Sequence, residues 1–287
     1  MHIIVFPGQG SQFTGMGKAL FKKFPDETNQ ASQTLGYDIV RLCVEDPDNQ
    51  LNLTQFTQPA LYVVNALSWL DHQTKPEPDY LLGHSLGEYN ALHAAGAFDF
   101  VTGLRLVEER GRLMGMASEG SMLAVLNMPV EELKVLLENE NLNKIEIANY
   151  NTAAQIVLSG DKQQTEQAAK VLRQQKVMAI PLNVSAAFHS SYMKSAAEQF
   201  AAFLTRINFQ PLSVPVIANV NARPYEDESI ATNLSQQIAS SVLWSESIRY
   251  LMARQKDFTY VELGEKPVLG RMIDYIQANE QALSPGL

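Results

Sequence analysis

The segment Asp79-Tyr80-Leu81-Leu82-Gly83-His84-Ser85-Leu86-Gly87-Glu88 constrains the fold more than any other. Tyr80 to Leu82 is a short apolar run behind the proline-rich Lys75-Pro76-Glu77-Pro78, a pattern that predicts a strand. Helix formers then run from Leu86 to Ala95, and Gly96 suits a left-handed cap at the helix end. Between the two lies Gly83-His84-Ser85-Leu86-Gly87, which fits the G-x-S-x-G nucleophile elbow. A turn this tight presses backbone against backbone, where a Cβ would clash. It would lift the Ser85 hydroxyl above the sheet. It would also aim the Leu86 N–H, at the positive end of the helix, at the space where an oxyanion forms. An ordinary turn is the alternative for the pattern alone; the strand before it and the helix after it favour the elbow.

Length and composition narrow the class. The chain has 287 residues, 46% of them hydrophobic, enough for one large domain or one with an insertion. A net charge of −9 argues against nucleic acid and against an anionic membrane surface as partners. The single cysteine, Cys43, sits in the apolar run Ile39 to Val44, which predicts a buried, inert thiol in a reducing cytoplasm. The N-terminus enters a strand directly, with no basic region and no long apolar segment, so no leader and no membrane span are expected. There is no C-x-x-C pair and no H-E-x-x-H, so no metal site is readable.

Taken in order, His2 to Phe6 reads as a buried first strand running into Pro7-Gly8-Gln9-Gly10-Ser11-Gln12. A glycine-rich loop there raises nucleotide binding. The dinucleotide fingerprint needs glycine where Phe13 stands, and the P-loop needs Ser or Thr where Ala19 follows Lys18. Both fail, which leaves a loop that presents a backbone N–H, or a plain turn. Leu51 to Thr57 reads as irregular, with a helix opening at Gln58 and Pro59 in its first turn. Asp99 caps a helix from Phe100 to about Ala117. At 100° per residue Arg110 falls between Val107/Met114 and Leu106/Leu113, along the buried stripe. A guanidinium aimed inward needs an anion, although a lone arginine can also snorkel outward or pair with a structural carboxylate. Residues 122–184 follow the order βαββαβ, the ferredoxin-like arrangement, with Asn149-Tyr150-Asn151-Thr152 expected as a turn between two strands. They read as a subdomain inserted in a larger α/β domain formed by 1–121 and 185–287. His189 closes a run of small residues and is a candidate base. The tail from Ala278 is polar and expected to fray.

Several motifs coincide: Phe6-Pro7-Gly8-Gln9-Gly10-Ser11-Gln12, Thr57-Gln58-Pro59-Ala60-Leu61, Gly83 to Tyr89, Arg110-Gly111, Ala187-Phe188-His189, and Gln237 ahead of Trp244. In this order and spacing they resemble the malonyl-CoA:acyl-carrier-protein transacylase family across nearly the whole chain. Ala187-Phe188-His189-Ser190 with Glu88-Tyr89-Asn90-Ala91-Leu92 look most like the free-standing acyltransferases of polyketide synthases.

The resemblance implies an α/β-hydrolase-like core with the ferredoxin-like subdomain inserted and the active site in the cleft between them. It implies Ser85 as nucleophile and His189 as its base. Gln9 and Leu86 would give backbone N–H groups to an oxyanion hole. Arg110 would pair with the malonyl carboxylate, and Gln237 would offer an oxygen that orients His189. The substrates would be malonyl-CoA and the phosphopantetheine arm of an acyl carrier protein, with no bound cofactor, in polyketide or fatty-acid synthesis. The enzyme would be a cytoplasmic monomer. Transfer from one thiol to another makes the cycle ping-pong. One rival is a hydrolase on the same scaffold, clearing acyl groups from carrier proteins. It has no use for the inward cation of Arg110. A non-catalytic docking subunit is the other, and it would not need Ser85, His189 and Gln237 together.

Overall fold

Ile3, Ile4, Val5 and Phe6 are wholly buried, and this run forms the middle of a parallel sheet covered on both faces. The computed structural model describes residues 1–72 and 77–281. Lys75-Pro76 and the tail beyond Gln281 lie outside them. Strands β1 (His2–Phe6), β2 (Tyr80–Gly83), β7 (Val216–Ile217) and β8 (Thr259–Glu262) form the first sheet, in the order β7-β2-β1-β8. All three pairings are parallel; Ile3 faces Tyr80 and Tyr260, and Leu81 faces Val216. Helices pack on both sides. Trp244, Ile248, Leu251, Ile273 and Ile276 cover one face. The helices Thr54–Asp71, Gly87–Ala94 and Phe100–Met116 cover the other.

The second sheet is antiparallel. Its strands β3 (Ser121–Leu126), β4 (Ile145–Thr152), β5 (Gln155–Gly160) and β6 (Met178–Pro181) lie in the order β4-β5-β3-β6. Helices Val130–Asn139 and Lys162–Gln174 bury Leu133, Leu136, Ala168 and Leu172 against it. The two sheets are joined through β4: Tyr150 N–H donates to the Val242 carbonyl at 3.0 Å, and Val242 N–H to Ala148 at 2.8 Å. No described helix is long and apolar enough to cross a membrane.

Three sequence expectations are corrected. The helix expected to open at Gln58 begins at Thr54, so Pro59 lies inside it and not in its first turn. Thr54 and Thr57 look like loop residues but are buried, and the Thr57 hydroxyl bonds back to the Leu51 and Leu53 carbonyls. Asn149 to Thr152 is not a turn but the end of β4; the chain reverses at Ala153-Ala154. The tail does not fray at Ala278. The last helix runs through Asn279, and Glu280 accepts from Ala153 N–H and the Ser245 hydroxyl. Cys43 is fully buried in the helix Ile39–Val44, and burial pushes its thiol pKa far up, as an inert cysteine requires.

Candidate active site

The elbow forms because three glycines permit contacts that no other residue could make. A Cβ on Gly83 would sit 1.9 Å from the Gly87 carbonyl carbon, and one on Gly87 2.0 Å from the Phe6 oxygen. A Cβ on Gly8 would sit 2.3 Å from the His84 oxygen, so the Pro7-Gly8-Gln9 loop lies directly on the elbow. Ser85 takes a left-handed φ of 52°, and so does His189, at 57°. Each such conformation costs on the order of 1–3 kcal/mol and needs fixed surroundings. Asn219 supplies them at the elbow: its Oδ1 accepts from Ser85 N–H at 2.7 Å, and its Nδ2 donates to the Gly83 carbonyl at 2.7 Å. His189 N–H is held by the Ile238 carbonyl at 3.2 Å.

Ser85 and His189 meet, with Oγ and Nε2 2.8 Å apart. His189 Nδ1 lies 2.8 Å from the main-chain oxygen of Gln237 and 3.2 Å from that of Ser240. Carbonyls only accept, so the ring proton sits on Nδ1 and Nε2 is free to receive the serine proton. The orienting oxygen is therefore the backbone of Gln237, not its side chain. A variant such as Gln237→Ala keeps that oxygen.

Burial, with Arg110 adding to it, lowers the His189 pKa to about 3. An unfolded histidine takes a proton near about 6.5. The stability linked to this ring is thus present above about 6.5 and lost as the pH falls toward 3. Nitrogen NMR of the ring should show one neutral tautomer, protonated at Nδ1, from about pH 8 down to about pH 5. A titration midpoint near about 6.5 would contradict the buried dyad.

Arg110 is 1% exposed, as its helical phase predicts. It is not ion-paired. Nη1 donates to Gln58 Oε1 at 2.8 Å; Nη2 donates to Gln237 Oε1 at 2.8 Å and to Ser85 Oγ at 3.1 Å. Its carbon lies 5.4 Å from the Tyr89 ring centre, and its Nε–H has no partner. Burial lowers its pKa from the usual arginine value. The Gln9 and Leu86 N–H groups find no acceptor among the described residues. The Gln9 side chain donates to Thr54 Oγ1 at 3.3 Å.

These groups share one cavity of about 310 Å³, walled by both sheets, with Gln9, Ser85, Arg110 and His189 from one side and Met122 and Asn151 from the other. Phe188 lines it beside His189. His84 Nε2 reaches Asn151 Oδ1 at 2.9 Å, so the elbow itself touches the second sheet. Among the described residues, no group of His, Cys, Asp and Glu is arranged to hold a metal. Gln58, Tyr89, Glu88 and Asn219 were not assigned site roles from the sequence. Gln58 and Glu88 carried a signal only as members of quoted motifs, Thr57 to Leu61 and Gly83 to Tyr89. Asn219 carried none, since it meets the elbow from 134 positions away.

The chain is similar to known proteins along most of its length. Residues 3–282 match the model of the acyl transferase domain family. A polyketide biosynthesis malonyl CoA-acyl carrier protein transacylase from Bacillus velezensis is 50% identical, over 99% of both chains. A crystal structure of malonyl CoA-acyl carrier protein transacylase from Burkholderia pseudomallei matches with a TM-score of 0.95 at 46% identity, covering 98% of this chain and 99% of the other. A type II polyketide synthase acyl-carrier protein in complex with its malonyl-transacylase matches with a TM-score of 0.90 at 33% identity, covering 98% and 94%. With a family match over residues 3–282 and a 50% identical relative covered over 99% of its length, the chain belongs to the acyl transferase domain family.

Proposed function

We propose that this enzyme is an [acyl-carrier-protein] S-malonyltransferase, moving a malonyl group from malonyl-CoA to the phosphopantetheine thiol of an acyl carrier protein. Its core is α/β-hydrolase-like, residues 1–121 and 185–287, with a ferredoxin-like subdomain inserted at 122–184. The sheet order β4-β5-β3-β6 supports the latter reading. His189 takes the proton of Ser85 as Oγ attacks the thioester carbonyl. The Gln9 and Leu86 N–H groups receive the oxyanion, and the coenzyme A thiolate leaves with the proton from His189. The carrier thiol then repeats the sequence on the acyl-serine. The solved carrier complex supports this partner. No bound cofactor enters these steps. The enzyme acts as a cytoplasmic monomer, in polyketide or fatty-acid synthesis. The polyketide names of two relatives at 50% identity favour the first.

The observation that carries the choice of acyl group is Arg110, a buried cation on the cavity wall that neutral oxygens hold and no described carboxylate pairs. A buried guanidinium with no carboxylate bonded to it is costly, and a carboxylate entering the cavity would supply the missing counter-charge. A hydrolase of neutral acyl chains would bear that cost for nothing. Arg110→Ala leaves the substrate carboxylate buried without a partner, a loss of about 2–5 kcal/mol, or roughly 30- to several thousand-fold in kcat/KM. Acetyl-CoA never used the cation and should lose much less. Steady-state kinetics on both thioesters measure the ratio. Equal losses would make Arg110 structural and return the hydrolase to contention.

A further inference from the structure

The helix that follows the elbow carries a carboxylate that the reaction does not consume. Glu88 is fully buried. It accepts from Asn219 N–H at 3.2 and 3.3 Å, from the Tyr225 hydroxyl, and from Gln237 Nε2 at 2.6 Å. The Gln237 amide thus has its NH2 end on the Glu88 carboxyl, and also on the Ser85 carbonyl at 2.9 Å. Its oxygen end faces the cation, 2.8 Å from Arg110 Nη2. Donor toward anion and acceptor toward cation is the only amide orientation that satisfies both neighbours. Burial pushes the Glu88 pKa up to about 7, opposed by its hydrogen-bond donors and by the Arg110 charge; Asn219 N–H and Gln237 Nε2 can only donate to it, and no ion pair joins it to Arg110. A direct pair would occupy the guanidinium and exclude a substrate carboxylate.

We propose that Glu88 is a positioning residue for acyl selection: it fixes the Gln237 side-chain amide, which holds Arg110 in place while leaving the guanidinium open to the malonyl carboxylate. This rests on the reading of Arg110 above. Glu88 touches neither substrate nor Ser85 Oγ. It acts through Gln237, and the anion stays one residue removed from the cation it balances.

Glu88→Gln preserves size and removes the charge. The new side chain must keep an oxygen toward Asn219 N–H and Tyr225, which turns its NH2 toward the NH2 of Gln237. Two donors then face each other, Gln237 flips, and Arg110 loses its acceptor. The expected result is a fall of about 30-fold or more in kcat/KM for malonyl-CoA, with acetyl-CoA reduced less than about threefold. Glu88→Asp keeps the charge and should move the same ratio less. In an Arg110→Ala background Glu88→Gln should no longer change the ratio, since no cation is left to hold. A purely structural carboxylate would lower both substrates together and add to Arg110→Ala.

Equal losses on the two thioesters, or an unchanged ratio, would overturn the proposal. If Glu88→Gln does not fold, Glu88→Asp decides; if neither folds, Glu88 is a folding residue and the proposal fails. A ratio moved by Arg110→Ala but not by Glu88→Gln removes this proposal alone. A ratio that Arg110→Ala leaves untouched removes the carboxylate reading and this proposal with it.

Discussion

Ser85→Ala is expected to abolish acyl-enzyme formation and leave the fold intact. Among the described residues the hydroxyl oxygen is the only serine oxygen that meets both a ring nitrogen able to take its proton and a guanidinium able to steady it, at 2.8 and 3.1 Å. Removing a nucleophile of this kind costs on the order of 10⁶-fold in turnover. The backbone should not notice. Ala at a left-handed φ is strained much as Ser is. The bonds that hold the turn, from Asn219 to Ser85 N–H and to the Gly83 carbonyl, use no side-chain atom of Ser85. Single-turnover acylation with malonyl-CoA, read beside the melting temperature, checks both halves. Residual acylation above about a thousandth of the wild-type rate would point to another nucleophile.

His189→Ala should slow acylation by roughly 10²–10⁴-fold. Serine at neutral pH is protonated, and no other described side chain is bonded to Oγ as a proton acceptor; Arg110 only donates. The ring is poised because burial keeps it neutral and two carbonyls fix its tautomer. Gln237→Ala should not reproduce this loss, since the carbonyl that orients the ring remains. Its cost should fall on malonyl selectivity, where the side chain meets Arg110. If His189→Ala acylates at near the wild-type rate, the dyad is wrong.

The parts of this site legible in the sequence were those written in local spacing. The elbow follows from two glycines flanking a serine, because the clash a Cβ would cause is local. Arg110 follows from helical phase, because period alone decides which face is buried. What escaped was set by tertiary contact. Asn149 and Asn151 favour turns in isolation. In the fold they occupy alternate positions of β4, on one face, and both reach His84. Thr54 reads as loop until a loop 45 positions away brings Gln9 to it. Gln237 was legible as a site residue but not in its role. Its backbone serves the base and its side chain serves the cation, a division that only coordinates resolve. Glu88 was in view within the elbow motif, yet spacing alone gave no reason to pair it with a residue 149 positions on.

An acyl-enzyme on Ser85 is tested most directly by intact-mass analysis after incubation with malonyl-CoA, acetyl-CoA and methylmalonyl-CoA in turn. Peptide mapping and addition of a phosphopantetheinylated carrier protein complete it. The expected result is a malonyl adduct in preference to the other two, located on Ser85 and discharged onto the carrier thiol. An adduct on Cys43 or on another serine, a preference for acetyl, or discharge to water alone would contradict it.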